Sequence, residues 1–245
     1  TRNAVHVITT FDSGGSSAEL RRIFDMPAVG DIRARIMALA DRSLEGNPEI
    51  VELLGCRLPK DAGPEALHRE LASLASGAHP LVAAIPEPMN EVVTQHLSAF
   101  RALMPADMDL AGASIGNLIL TSGYLSLDRQ LEPVVRVFSG MVQARGVVMP
   151  VSDSCAHLCV QLENGEVIVG QHRFTGKTAT AVTSPIRDMW LSASLDDPSP
   201  VSVPIQPRLA HVIRAADLIC YPVGSFFSSV MVNLLPLGVS CAVRE

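Results

Sequence analysis

Apolar positions along this chain fall into two rhythms. Leu67, Leu71 and Leu74 recur at three- and four-residue spacing, as do Val92, Val93, Phe100 and Leu103, and then Leu131, Val134, Val135, Phe138 and Met141. One face of a helix has that period. Helices are therefore expected from Pro64, where proline suits a first turn, from Met89 to Met104, and from Leu127 to Ala144 with Asp128 as its cap. Ile32, Ile36 and Leu39 mark another, with Asp31 as its N-cap, and shorter ones are expected over Ser17 to Phe24 and Pro207 to Ala215. The second rhythm is the short unbroken apolar run of a strand: Val5-His6-Val7-Ile8, Gly146 to Pro150, and Leu218 to Tyr221. His157 to Leu162 and Glu166 to His172 flank Asn164-Gly165, the pair that favours a type I′ hairpin.

Two of these strands stop at turns of small residues and lead into helices, one through Asp12-Ser13-Gly14-Gly15-Ser16-Ser17 and one through Pro222-Val223-Gly224-Ser225 before a helix at Phe226. In an open parallel sheet such turns gather at the carboxyl ends of the strands, where ligands bind. The helices at roughly 55–110 read as an inserted layer, the hairpin at 157–172 as a second insertion, and no repeat or linker divides the chain. A single α/β domain over 1–245 is expected.

Composition narrows the choices. Of 245 residues, 48% are apolar but only 4% aromatic, so the core rests on aliphatic side chains, as where helices cover a parallel sheet. The net charge of −6, without a Lys/Arg cluster, argues against nucleic acid as a partner. No apolar run reaches the about 18 residues of a membrane span, and no signal-peptide pattern opens the chain, so a cytoplasmic protein without a membrane partner is expected. Five cysteines without repeated spacing suit reduced thiols. Cys155, His157 and Cys159 resemble metal ligands, but in a strand the outer two stand roughly 13 Å apart, which disfavours zinc.

The chemistry concentrates in the first loop. Gly14 and Gly15 admit conformations closed to other residues and let a ligand approach the main chain. Ser13, Ser16 and Ser17 add hydroxyls, and the amides at a helix start, with the helix dipole, favour an anion. Asp12 would repel a bound phosphate unless a cation or a donor lies between them, which points to Mg²⁺ or to a general base; the competing structural role is a helix cap. Arg33, in the first turn after Gly30-Asp31, could reach the same anion. Gly112-Ala113-Ser114-Ile115-Gly116 has the G-x-S-x-G form of serine hydrolases, but Met104 to Leu110 makes a poor preceding strand, and Ser114 as a cap with Asn117 near a helix start is the simpler account. Gly176-Lys177-Thr178 resembles the end of a P-loop without its upstream glycine in place, so a Walker-type site is set aside.

In order and spacing, Asp12 to Ser17 with Leu20-Arg21, Gly30-Asp31-Ile32-Arg33, Ser114 to Leu118, Val148 to Asp153, Ala216 to Ile219 and Gly224 to Ser229 with Asn233-Leu234 resemble the motifs of the 2-phospho-L-lactate transferase (CofD-like) family, which includes the bacterial gluconeogenesis factors. The resemblance covers most of the chain. It implies a three-layer α/β/α Rossmann-like fold with a mainly parallel sheet, and a cleft for a nucleotide-diphosphate-linked small molecule. In the transferase branch a phospholactyl group passes from a guanosine diphosphate donor to a deazaflavin hydroxyl with Mg²⁺; in the gluconeogenesis-factor branch the site looks like a sensor of uridine-diphospho sugars.

By that resemblance Asp12 lies near the acceptor hydroxyl or the metal, Gly14 to Ser17 and Gly224-Ser225 cradle phosphates, Asn117 orients the ligand, and Ser13, Asp31, Arg33 and Ser114 belong to the same site. Ser13 stands where gluconeogenesis factors carry a second aspartate, and Pro222-Val223 replaces a Gly-Pro turn. The family's glycine-rich strand and loop precede the first strand found here and are expected to be missing from this chain. A homo-oligomer is compatible with the sequence, and a serine hydrolase using Ser114 ranks last.

Overall fold

The computed structural model describes residues 4–43, 46–175, 182 and 184–245; the Gly176-Lys177-Thr178 stretch lies outside them. Strand β1 (Val5–Ile8) pairs with β2 (Val147–Pro150). The pairing is parallel, since Val147 N donates to the Ala4 carbonyl at 2.9 Å and, four residues on along both strands, Val151 N donates to the Ile8 carbonyl at 3.0 Å. Helices together with this parallel sheet place the chain in the α/β class, as expected.

The chain forms two compact units. The first, Thr1–His6 with Ile32–Val148, is helical. It holds the body of α2 (Gly30–Leu39), then α3 (Pro48–Gly55), α4 (Pro64–Ala75), the short α5 (Pro80–Ala83), α6 (Met89–Leu103), α7 (Ile115–Ser126) and α8 (Leu131–Met141). Proline at the first helical position starts α3, α4 and α5, where a missing N–H does no harm. α4 and α6 bury one stripe each, Leu67, Leu71 and Leu74 against Val93, Leu97 and Phe100.

At the centre of this unit is α7. Every residue from Ile115 to Tyr124 is buried, polar ones included, as expected of a helix enclosed on all sides. α3, α6 and α8 pack around it. Glycines allow the close approach: a methyl on Gly116 would lie 2.7 Å from both the Leu54 carbonyl oxygen and Arg33 Cδ, and one on Gly123 would lie 2.7 Å from Val134 Cγ1.

The second unit is Val7–Asp31 with Met149–Glu245. It contains α1 (Gly15–Phe24) and an antiparallel sheet ordered β4-β3-β5, from β3 (His157–Leu162), β4 (Val167–Val169) and β5 (Ile186–Ser192). Cys159 on the central strand faces Val169 on one side and Trp190 on the other. Gly165, at φ 89°, turns the hairpin where Asn164-Gly165 predicted it. α9 (Pro207–Arg214) packs on α10 (Val239–Arg244). Phe11, Leu158, Leu191, Leu209, Val232 and Val239 share one buried cluster.

Three local expectations are corrected. α8 starts at Leu131, not Leu127, and Asp128 is not its cap: Asp128 and Arg129 sit at φ 50° and 61°, so the chain turns through left-handed conformations before the helix begins. Asp31 is the second residue of α2, not its N-cap. Leu218 to Tyr221 forms no strand; no ladder pairs with it among the described residues, and Leu218 is 78% exposed. A four-residue apolar run does not identify a strand unless a neighbour supplies the other half of the ladder.

The packing of α7 gives a sharp expectation for Gly116→Ala. Alanine's higher helix propensity is worth about 1 kcal/mol, but overpacking costs about 1–3 kcal/mol where the neighbour cannot move aside. The neighbour here is a main-chain oxygen. The variant should lose up to about 2 kcal/mol net, read as a lower denaturant midpoint at unchanged slope.

Candidate functional site

The loop between β1 and α1 is held mainly by side chains bonded to the main chain. Thr10 donates through its hydroxyl to the Ser152 carbonyl at 3.0 Å, and its own carbonyl accepts from Ala28 N at 2.8 Å. Asp12 closes a small turn, its Oδ1 accepting from Gly14 N at 3.0 Å. The helix begins at Gly15 (φ 60°), two residues before the Ser17 expected from the sequence, so Gly15, Ser16 and Ser17 are its first turn. No side chain caps this end, no acidic residue lies in the first turn, and Arg21 and Arg22 occupy the last. Uncapped amides at the positive end of a ten-residue helix suit an anion.

Arg21 fixes the loop's position. It is 5% exposed. Its Nε donates to the Met26 carbonyl at 3.1 Å, Nη1 to the Asp12 carbonyl at 2.7 Å and the Phe11 carbonyl at 3.4 Å, and Nη2 to the Ala156 carbonyl at 2.6 Å. One guanidinium thus joins the loop, the turn after α1 and the segment leading into β3. Ser13 makes a second link: its hydroxyl lies 2.7 Å from His172 Nδ1 and accepts from His172 N at 3.3 Å. His172, in a single 3-10 turn after β4 (Gln171–Arg173), also lies beside Gly14, where a methyl would make an ordinary contact at 3.5 Å with its Cβ.

Behind the loop lies a cavity of about 330 Å³, lined by Ser13, Arg21, Asp25, Cys155, His157 and the 193–196 turn. Burial, with the Arg21 guanidinium adding to it, pulls His157 down from 6.5 to about 4, and His157 Nδ1 has no hydrogen-bond partner among the described residues. Burial also pushes the Cys155 thiol up, and the thiol donates to the Met26 carbonyl at 3.3 Å. Cys155 is therefore a neutral thiol rather than a nucleophile.

The second predicted turn is built differently. Ser225 Oγ accepts from Ser228 N at 3.4 Å and so caps a short π-wound helix, Phe226–Val230. Gly224 is exposed, beside an apolar cavity of about 400 Å³ lined by Tyr221, Val223, Phe226 and Leu234 among others.

The remaining predicted residues divide between the units. Asp31 is exposed in the first turn of α2. In the helical unit, Arg33 Nε donates to Asn117 Oδ1 at 2.9 Å, which brings those two together. Ser114 is the fully buried N-cap residue of α7 and pairs with Arg57 in an isolated antiparallel bridge, so the strand that a nucleophile elbow requires is absent there. Among the described residues no group of three or more His, Cys, Asp or Glu side chains could hold a metal. Sequence reasoning gave no role to Arg21 beyond its place in a motif and none to His172, and weighed His157 only as a metal ligand with Cys155 and Cys159; a buried arginine bonded to carbonyls leaves no spacing pattern to find.

These features define an α/β protein whose glycine-rich first loop is pinned by a buried arginine and leads into a helix start without a side-chain cap. The model of the 2-phospho-L-lactate transferase CofD family matches residues 1–245, and the chain belongs to that family. It is 30% identical over 181 residues to the Saccharomyces cerevisiae protein YNL011C, covering 69% of this chain and 39% of that one. It is 26% identical over 229 residues to the gluconeogenesis factor of Bacillus subtilis, covering 94% and 52%. The chain thus spans roughly two fifths to one half of these relatives' lengths. In fold it resembles the crystal structure of the Bacillus halodurans protein BH3568, with a TM-score of 0.68 at 23% identity, covering 99% of this chain and 58% of that one. No helix among the described residues is long and apolar enough to cross a membrane.

Two measurements check this geometry. Arg21→Met leaves four carbonyls without their donor and should destabilise the fold by about 3 kcal/mol in chemical denaturation, with Arg21→Lys restoring little, because an ammonium cannot span the same oxygens. His157 is held below its unfolded value, so the unfolded state binds the extra proton between pH 6.5 and about 4. Stability should therefore fall as pH drops through that window and lose nothing more to this group below it. His157→Gln should flatten that part of the stability–pH curve.

Proposed function

We propose that this protein binds a nucleotide-linked diphosphate through the main-chain amides at the start of α1. The observation that carries the reading is the uncapped, acid-free first turn of that helix, behind Gly14 and Gly15, on a loop fixed by Arg21. Phosphate oxygens would accept from the amides of Gly15, Ser16 and Ser17, and Gly224-Ser225 would offer a second small-residue turn to the same ligand. Membership of the CofD family and the gluconeogenesis factors among its relatives support a small-molecule ligand of this kind.

Asp12 stands at the rim of this loop, half-buried, with one oxygen engaged by Gly14 N. Mg²⁺ is commonly held by one or two carboxylates together with substrate phosphates and water, so a lone aspartate fits it where a protein-only cage is lacking. Asp12 would hold the ion, which when bound supplies charge neutralisation for the phosphates. In the transferase reading, the same carboxylate would hold or accept the proton of an acceptor hydroxyl, and the helix amides would stabilise charge on the transferred phosphoryl-linked group.

A binding-only reading, that of a nucleotide-sugar sensor, is favoured by one feature: Ser13 adds no second carboxylate and its hydroxyl is engaged by His172. A cytoplasmic location accords with both readings.

Thermal melting with GDP or UDP-sugars, each with and without Mg²⁺, separates them. At about 100-fold excess over Kd, a true ligand adds about 2.7 kcal/mol. Stabilisation by GDP that needs Mg²⁺, and loses that need in Asp12→Asn, supports the transferase. UDP-sugar stabilisation without turnover supports the sensor, and no shift with any diphosphate rejects both.

A further inference from the structure

One stretch of the second unit lacks the partner that its strand-like residues need. From Leu218 to Pro222 the chain runs without a turn or bend, and every residue from Ala215 to Phe226 is exposed. No main-chain N–H or carbonyl from Asp217 to Gly224 forms a hydrogen bond among the described residues. The apolar side chains are bare as well: Leu218 is 78% exposed, Tyr221 55%, Val223 102% and Phe226 59%. Pro222 holds the preceding Tyr221 in an extended conformation. An open row of donors and acceptors on an extended apolar segment is a template for a second strand.

The area, charge and register of this surface suit a second copy of the same chain. With two aromatic rings about half bare beside Leu218 and Val223, its apolar area is on the order of 500 Å². Two copies joined through it would bury roughly 1,000 Å² in total, the lower bound for a specific interface. The net charge of −6 opposes self-association, yet Asp217 is the only charged residue between Arg214 and Arg244. In an antiparallel pair centred on Cys220, Asp217 of each copy stands opposite Val223 of the other, so the two carboxylates lie at opposite ends. Ile219 and Tyr221 then exchange the main-chain hydrogen bonds, and Pro222 falls at a non-hydrogen-bonded position, where its missing N–H does no harm. Leu218 of one copy meets Pro222 of the other at the edge of the apolar cavity of about 400 Å³ that Tyr221, Pro222, Val223 and Phe226 help to line. An apolar side chain seated in such a pocket is a common interface anchor.

We propose that Leu218 to Tyr221 is the pairing strand of a symmetric dimer of this chain, in which two copies add to one another antiparallel and each seats Leu218 at the other's apolar cavity. The interface is isologous and therefore closes at two copies. It does not rest on the diphosphate reading of the α1 loop.

The test is sedimentation velocity on the 245-residue chain from about 1 to 100 μM, the range in which a small interface dissociates. Wild type should pass from monomer to dimer across it. Val223→Asp sets a carboxylate opposite Asp217 of the other copy, and Leu218→Asp presses one against the apolar cavity; each should weaken dimerisation at least about tenfold. Both side chains are exposed, so the melting temperature of the dilute monomer should stay unchanged. Val137→Asp, at a 49% exposed position on α8, should leave the dimer intact. A short bis-maleimide should join two copies through Cys220, with the product lost in Cys220→Ser and kept in Cys241→Ser. A chain that stays monomeric over the whole range overturns the proposal and leaves the surface to a different polypeptide. A dimer that survives both aspartate variants, or that cross-links only through Cys241, overturns it as well, because the interface then lies elsewhere.

Discussion

One buried guanidinium organises the unit that carries the glycine loop. Arg21 spends its donors on the carbonyls of Phe11, Asp12, Met26 and Ala156, which belong to three separate stretches of chain. A charge this deep is tolerable only when each direction of its fork meets an acceptor. Once it is satisfied, the loop can present its amides outward without carrying its own core. The arginine also lies near the far end of the helix whose start faces the proposed ligand. A cation there interacts favourably with the dipole, and the same dipole favours an anion at the opposite end.

The helical unit rests on a different constraint. α7 is enclosed on all sides, so its surface must be either apolar or very small, and Gly116 and Gly123 mark where neighbours come closest. Thr121 and Ser122, further along the same helix, have hydroxyl oxygens that lack partners among the described residues. A helix in this position tolerates few substitutions, because every side has a neighbour at contact distance.

Much of the fold was legible because long amphipathic helices and an Asn-Gly hairpin write their periods plainly. α4, α6 and the β3–β4 hairpin lie where spacing placed them. β5 was missed, since Arg187 and Asp188 interrupt its apolar pattern at exposed positions, and only pairing with β3 makes it a strand. Leu218 to Tyr221 failed in the opposite direction, with strand-like residues and no partner. The glycine loop could be read because its conformational demands fall on glycine itself. Arg21 and the Ser13–His172 link could not, because they join residues up to 159 positions apart through main-chain atoms and an imidazole.

The chain holds one tryptophan, Trp190, on β5, with its indole N–H donating to the Pro198 carbonyl at 2.6 Å. It belongs to the unit of the glycine loop, and the helical unit has no tryptophan. Intrinsic fluorescence is therefore an optical reporter for one half of the molecule, whereas most of the far-ultraviolet ellipticity comes from the other half. Overlaying the two signals during a melt distinguishes a single cooperative transition from two successive ones, with no label attached.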